Sequence, residues 1–253
     1  MAGGEGRSSD SRPLRHDDVR AYYDDVYFDE GRPFARPLPD YAEKLSWLCP
    51  RPTERLLDCS CGAGGVLAVA RAAGLDAVGI DLSRRALGYA KRSGEERLAC
   101  AVTERLPIAS KSVDLITCLG SLEHYVDPAA AIVEMCRVLR PGGRMLIVVP
   151  NYYYWRNVAY AAVYGAHRTG HHQIVERVDT YRGWRTFLEE HGLAVTAVHR
   201  DIGPLPSGRG VHLGTRIRQL TRRAIERLVP LYLTYQFGFV CVRSKHDAAR
   251  SWV

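Results

Sequence analysis

Three groups of residues have types and spacings that can do chemistry. The first is Asp58-Cys59-Ser60-Cys61-Gly62-Ala63-Gly64-Gly65, which closes a short apolar run and precedes an Ala-rich stretch. Glycines let a backbone approach a ligand closely, and a helix N-terminus offers unpaired N–H groups. The dinucleotide fingerprint G-x-G-x-x-G fails, because Leu67 stands where its third Gly belongs. The second is Asp81, which closes the next apolar run. A carboxylate there can accept hydrogen bonds from both ribose hydroxyls of a nucleoside lying across strand ends. Its plainer alternative is helix capping beside Ser83. The third group is histidine: His124 after the fourth apolar run, and His171-His172-Gln173 with Glu176 further on. Histidine is a natural general base near neutral pH. Adjacent histidines face different ways on regular structure, which argues against a His-Glu metal site. Cys59 and Cys61 form C-x-C, whereas zinc favours C-x₂₋₄-C pairs with partners downstream. Small buried thiols are the favoured reading of these cysteines.

The elements that must position these groups alternate. Residues 55–59, 76–80, 97–102, 113–119 and 144–149 read as strands. Residues 66–73, 83–92 and 127–139 read as helices, with Ser83 and Asp127 as caps and Pro128 in the first turn. Pro141-Gly142-Gly143 reads as the turn into the fifth strand. This alternation predicts a parallel sheet covered on both faces. Before it come an amphipathic stretch, 16–28, a Pro/Arg-rich loop, 31–39, and a helix, 40–48. After it, 152–167 and 180–190 read as helices, and 193–199 and 235–242 as strands.

The chain has 253 residues, 46% hydrophobic and 25% charged, the mix of a globular enzyme-sized domain. Residues 1–15 read as a flexible Gly/Ser/Arg-rich tail without a secretory core, and 16–253 as one domain. Scattered cysteines, seven in number, suit a reducing cytoplasm. The net charge is +7, but residues 201–253 hold nine basic and three acidic residues, leaving +1 elsewhere. That balance argues against nucleic-acid binding over the whole fold. It points to a basic helical insertion at about 202–230. Within 209–227, Ile217, Leu220, Ala224 and Ile225 recur at helical spacing among arginines, and Leu228 and Val229 continue the row. Such a helix fits peripheral contact with an anionic membrane, an acceptor-binding role or ordinary packing.

Read in order, these motifs resemble the class I S-adenosylmethionine (SAM) dependent methyltransferases, in the small-molecule branch that includes ubiquinone and menaquinone biosynthesis enzymes. The family's D-x-G-C-G-x-G aligns with residues 58–64, and its acidic strand end with Asp81. Further matches are Glu104-Arg105-Leu106-Pro107-Ile108, Ser112-Val113-Asp114, Leu122-Glu123-His124-Tyr125-Val126-Asp127-Pro128 and residues 134–143. The resemblance implies a Rossmann-like α/β fold of seven strands, order 3-2-1-4-5-7-6, mostly parallel with the last strand antiparallel. It implies SAM as cofactor and a small-molecule acceptor, methylated on oxygen, with no nucleic acid as partner. The implied cofactor set is Asp58, Cys59, Ser60, Gly62 and Gly64 for the methionine half, Asp81 for the ribose and Leu82 beside the adenine. Thr103 and Glu104 stand near the adenine amino group, Leu119 and Gly120 near the sulfur, and Tyr22 and Tyr23 on a lid formed by residues 16–48. The general base is His124 or His172. The run of Tyr152-Tyr153-Tyr154-Trp155 after Asn151 reads as an acceptor wall or as packing.

Two positions depart from the family. Ser60 replaces a glycine, which the loop tolerates if that residue avoids positive φ. Val102 stands where the family has an adenine-binding Asp. These departures motivate a second reading, a non-catalytic partner of the same fold. A nucleic-acid methyltransferase is a third, but Leu119-Gly120-Ser121-Leu122 is not its usual N/D-P-P-Y/F run.

Overall fold

The computed structural model describes residues 13–28, 36–166, 174, 176–203, 217, 220–221, 224–225 and 227–244. Its strands are β1 (Arg55–Cys59), β2 (Asp76–Asp81), β3 (Leu98–Cys100), β4 (Val113–Leu119), β5 (Leu139–Pro150), β6 (Leu193–Asp201) and β7 (Gln236–Arg243). They form one sheet in the order β3-β2-β1-β4-β5-β7-β6. The first five pair in parallel, and β7 runs antiparallel between β5 and β6. The strand order reverses direction between β1 and β4, which opens a crevice at their carboxyl ends.

The helices are α1 (His16–Tyr22), α2 (Leu38–Ser46), α3 (Gly65–Ala72), α4 (Arg84–Arg92), α5 (Pro128–Val138), α6 (Trp155–Tyr164) and α7 (Tyr181–Glu190). Successive strand residues point to opposite faces, and both faces are covered. Leu56 packs in a cluster with Leu45 and Leu48, and with Val66 and Ala70 of α3. Leu57 packs in the other, with Ile132 and Met135 of α5 and Trp184 and Leu188 of α7. The helix starts are capped by side chains: Ala86 N–H donates to Ser83 Oγ, Ala130 N–H to Asp127 Oδ1 and Gly183 N–H to Thr180 Oγ1.

Several boundaries differ from the sequence reading. β3 is three residues long because it pairs only with β2 at the sheet edge. Leu139 already pairs with Val113, so Pro141-Gly142-Gly143 lies inside β5, where the register shifts, rather than in a free turn. Residues 152–154 stay outside α6. Asn151 holds them by accepting the Tyr153 N–H and donating to the carbonyls of Tyr232 and Thr234. Finally, α1 runs on into a wider, π-helical turn over Tyr23–Tyr27, closed by the Phe28 N–H on the Tyr23 carbonyl.

A buried polar cluster joins α2 to the last two strands. Lys44, 1% exposed, places Nζ 2.9 Å from Asp40 and 3.3 Å from Asp201. Arg36 donates to Asp201 at 2.8 Å and to Gln236 at 2.7 Å. The two cations hold the Asp201 carboxyl below its ordinary range against the pull of burial. Removing one cation leaves a carboxylate buried without its full complement. Lys44→Met is therefore expected to destabilise the fold by about 3–5 kcal/mol. A urea midpoint equal to that of wild type would contradict the role given to this cluster.

Candidate active site

The carboxyl ends of β1, β2 and β4 open into one cleft of about 1120 Å³, counting its mouth. Asp58, penultimate in β1, is buried and accepts a 2.6 Å bond from the Thr117 hydroxyl of β4. Burial pushes its pKa up to about 7, the Thr117 bond opposes, and Asp81 adds repulsion. Asp81 ends β2. One of its oxygens accepts the Gly62 N–H and the other the Ser83 N–H, both at 2.8 Å. Burial lifts it to about 6, against those two bonds. Asp81 thereby pins the glycine turn after β1 to the end of the neighbouring strand.

Ser60 in that turn has φ +59°, a left-handed conformation. The condition attached to its replacement of glycine is thus not met, and the strain costs about 1–2 kcal/mol. Its hydroxyl offsets part of this by bonding the Tyr125 hydroxyl at 3.0 Å. Tyr125 also receives the Thr103 hydroxyl at 3.1 Å. Gly62, φ +54°, is open: a Cβ built there meets nothing within 4 Å.

The N-terminal segment covers the cleft. Val19, Tyr23, Tyr27 and Phe28 face into it, and neighbouring rings meet edge-on, Tyr23 with Tyr27 at 5.3 Å and Tyr27 with Phe28 at 5.0 Å. A polar contact fastens this cover, and a second lies beside it without a hydrogen bond. Asp24 accepts the Ser83 hydroxyl at 2.5 Å and the Arg85 N–H at 3.2 Å. His16 Nε2 lies 3.2 Å from Glu104. On the far wall, His124 sits in the short 3₁₀ turn Leu122–His124 after β4. Among the described residues, no cluster of His, Cys, Asp and Glu is arranged to hold a metal.

Residues 57–147 match the family described as a methyltransferase domain. Residues 57–147 are a methyltransferase domain. Curated relatives include an uncharacterized methyltransferase of Mycobacterium tuberculosis, 35% identical over 122 residues, covering 48% of each chain. Another is a ubiquinone biosynthesis O-methyltransferase of Aromatoleum aromaticum, 34% identical over 104 residues, 39% of this chain and 44% of that one. The chain thus spans about half the length of the curated relatives it matches. The fold matches an S-adenosylmethionine dependent methyltransferase from Mesorhizobium loti, TM-score 0.60 at 18% identity, over 82% of this chain and all of that one.

Within and around the methyltransferase domain, the cleft brings together Asp58, Ser60, Gly62, Asp81, Leu82, Thr103, Glu104, Leu119, Gly120 and His124. Three residues expected there do not line it. Cys59 points into the core beside Leu57, where burial raises its thiol pKa. Gly64 caps α3, and a Cβ on it would strike Glu95 and Ala90. Tyr22 gives way to Tyr23, since adjacent helical residues point about 100° apart. The Thr103 hydroxyl is engaged by Tyr125 rather than open to a ligand, and Val102 lines the wall. His171, His172 and Gln173 lie outside the described residues, and Glu176 is exposed. The sequence reading missed His16, Arg36 and Tyr41 as cleft residues. Arg36 and Tyr41 lie within the stretches assigned to the lid, but nothing in their spacing marks them.

Asp58 yields a pH prediction. Its pKa is raised above that of an unfolded carboxyl, so between about pH 4 and 7 the folded chain binds more protons. Stability contributed by this group therefore falls as pH rises through that window. Asp58→Asn should flatten the fall, measured as urea midpoints at both ends of the window. A slope identical to wild type would show that Asp58 ionises normally.

Proposed function

We propose that the protein transfers a methyl group from SAM to a hydroxyl of a small or lipid-like acceptor. The supporting observation is the pair Asp58 and Asp81 beside an open glycine turn. Burial raises both acids, and neither is paired with a cation among the described residues. A ligand bringing an ammonium to one and hydroxyl hydrogens to the other relieves both. SAM carries an α-ammonium and a ribose diol, so the residues present fit it. Asp58, Ser60 and Gly62 would hold the methionine half, and Asp81 the ribose. Leu82 and Val102 would flank the adenine, with Thr103 and Glu104 at its edge, and Leu119 and Gly120 would form the floor. Cys59, Gly64 and Tyr22 would support this set from behind.

When bound, SAM supplies an electrophilic methyl group on a positively charged sulfur. The chain's own tasks are to align the acceptor, exclude water and take up a proton. Tyr23, Tyr27 and Phe28 would do the excluding. His124, at the wall, would accept the hydroxyl proton. The relatives named as ubiquinone biosynthesis O-methyltransferases support oxygen as the methylated atom. Calorimetry should show SAM binding without added metal, weakened more than about tenfold in Asp81→Ala. No binding at millimolar SAM would sink the reading. With a hydroxyl acceptor, His124→Ala should lower turnover by at least about a hundredfold at nearly unchanged SAM affinity.

We further propose peripheral contact with an anionic membrane. No helix among the described residues is long and apolar enough to cross one. In the segment from 217 to 228, however, Ile217, Leu220, Ile225 and Leu228 are exposed, Leu228 to 85%. That supports surface docking over packing on the sheet. Residues 204–230 carry six arginines and one glutamate, which suits an anionic surface. The protein should sediment with anionic vesicles at low salt and release as salt rises. Replacing Arg218, Arg222 and Arg223 with Gln should abolish this. Wild-type protein that ignores such vesicles at low salt would exclude the idea.

A further inference from the structure

Most buried acids around the cleft are accounted for. Asp58 holds Thr117, Asp81 holds two backbone N–H groups, and Asp201 and Asp40 hold Arg36 and Lys44. Glu123 differs. It is 3% exposed, and its Oε2 has no hydrogen-bond partner. Burial lifts its pKa to about 8, its own backbone N–H pulls it down, Glu176 adds repulsion and Arg36 a weaker attraction. Arg36 is already committed to Asp40, Asp201 and Gln236. A buried carboxyl with one oxygen unpartnered is costly, and such a group calls for an explanation, often a functional one.

Its surroundings point to one use. Glu123 Oε1 lies 3.7 Å from Nε2 of His124, which lines the cleft. That is just beyond a hydrogen bond and within the range of strong charge coupling. A Cβ on Gly120, itself a cleft residue, would lie 3.8 Å from the same oxygen. The carboxyl thus stands directly behind the wall of the cleft.

We propose that Glu123 is a positioning residue that orients His124 and sets its charge, so that the two titrate as a pair. The inference rests on His124 acting as the base. In the working form, reached above about pH 8, the carboxyl is ionised and the imidazole neutral. As the acceptor oxygen gains its methyl group, its O–H bond breaks and the proton passes to the imidazole. The imidazolium then faces a carboxylate, which stabilises it. At lower pH the pair already shares a proton, so an incoming one no longer meets a carboxylate and is held less well. The other titratable and charged groups facing Glu123 are Tyr23, Arg36, Cys118 and Glu176. Burial drives the Tyr23 phenol far up and the Cys118 thiol to about 12, so neither competes near neutrality.

The test reads the imidazole itself. NMR titration of the chain without cofactor or acceptor gives the His124 midpoint, with the resonance assigned from His124→Gln. Glu123→Gln should lower that midpoint by about one unit, since the imidazole then takes its proton without a carboxylate to share it. Glu123→Asp, which draws the charge back by one methylene, should lower it by a smaller step and serves if the Gln variant does not fold. An unchanged midpoint overturns the proposal, whether or not the protein transfers methyl groups. In turnover, the acid limb of the pH profile should move to lower pH in Glu123→Gln while its plateau falls. A uniform loss at all pH values would mark a merely structural role and overturn the pairing.

Discussion

Helices lie on both faces of this sheet, so a strand residue pointing either way enters a core. Charge is tolerated only where a strand runs out or where it finds a partner. Asp58 is the last residue but one of β1, and Asp81 is the last of β2. His124 follows β4 within a single short turn. The reversal of strand order between β1 and β4 sends the following connections to opposite sides and leaves a gap between them. The cleft is therefore a consequence of covering the sheet twice, and its acidity follows from what the strand ends are permitted to carry.

That acidity has internal consequences. Asp58, Asp81 and Glu104 line one space, and Glu123 stands behind its wall. Among the described residues, the cation that reaches the cleft lining, Arg36, is occupied by Asp40 and Asp201. Some contacts that hold the cleft in shape are themselves strained or polar. Ser60 keeps a left-handed backbone with help from Tyr125, and the cover is fastened by Asp24. The cover's apolar and aromatic residues, Val19, Tyr23, Tyr27 and Phe28, face inward, so opening it exposes them to water.

The strands were legible because buried parallel strands are written as short unbroken apolar runs, such as Met145-Leu146-Ile147-Val148-Val149, whereas their order followed only from the family resemblance. Ser83, Asp127 and Thr180 at helix starts were legible because a cap is a local matter. What sequence could not supply was long-range geometry. Lys44 and Asp201 look like surface residues until α2 is laid on β6. Glu123 is indistinguishable from any turn acid until Leu122–His124 folds against β5. The choice of Tyr23 over Tyr22 depends on one wide turn that no local periodicity announces. Cys59 and Gly64 were drawn in by their motif, although a motif specifies a loop and not which way each side chain in it points.

The cluster of Arg36, Lys44, Asp201 and Gln236 also bears on how the molecule is made. Arg36 and Gln236 are 200 residues apart in sequence. Trp47, at the end of α2, sits over Gly238 of β7, where a Cβ would meet its ring at 2.5 Å, and stacks on His199 of β6 at 4.8 Å. On the ribosome, α2 is synthesised early, but the surface it must settle on appears only when β7 has slotted between β5 and β6. Helix α2 is thus an early-born segment with a late-born seat, and its docking waits for almost the entire chain. Contacts of such separation slow folding. Until they form, Leu45 and Leu48 lack part of the apolar surface that buries them, and the nascent chain holds that helix as exposed hydrophobic surface of the kind chaperones bind.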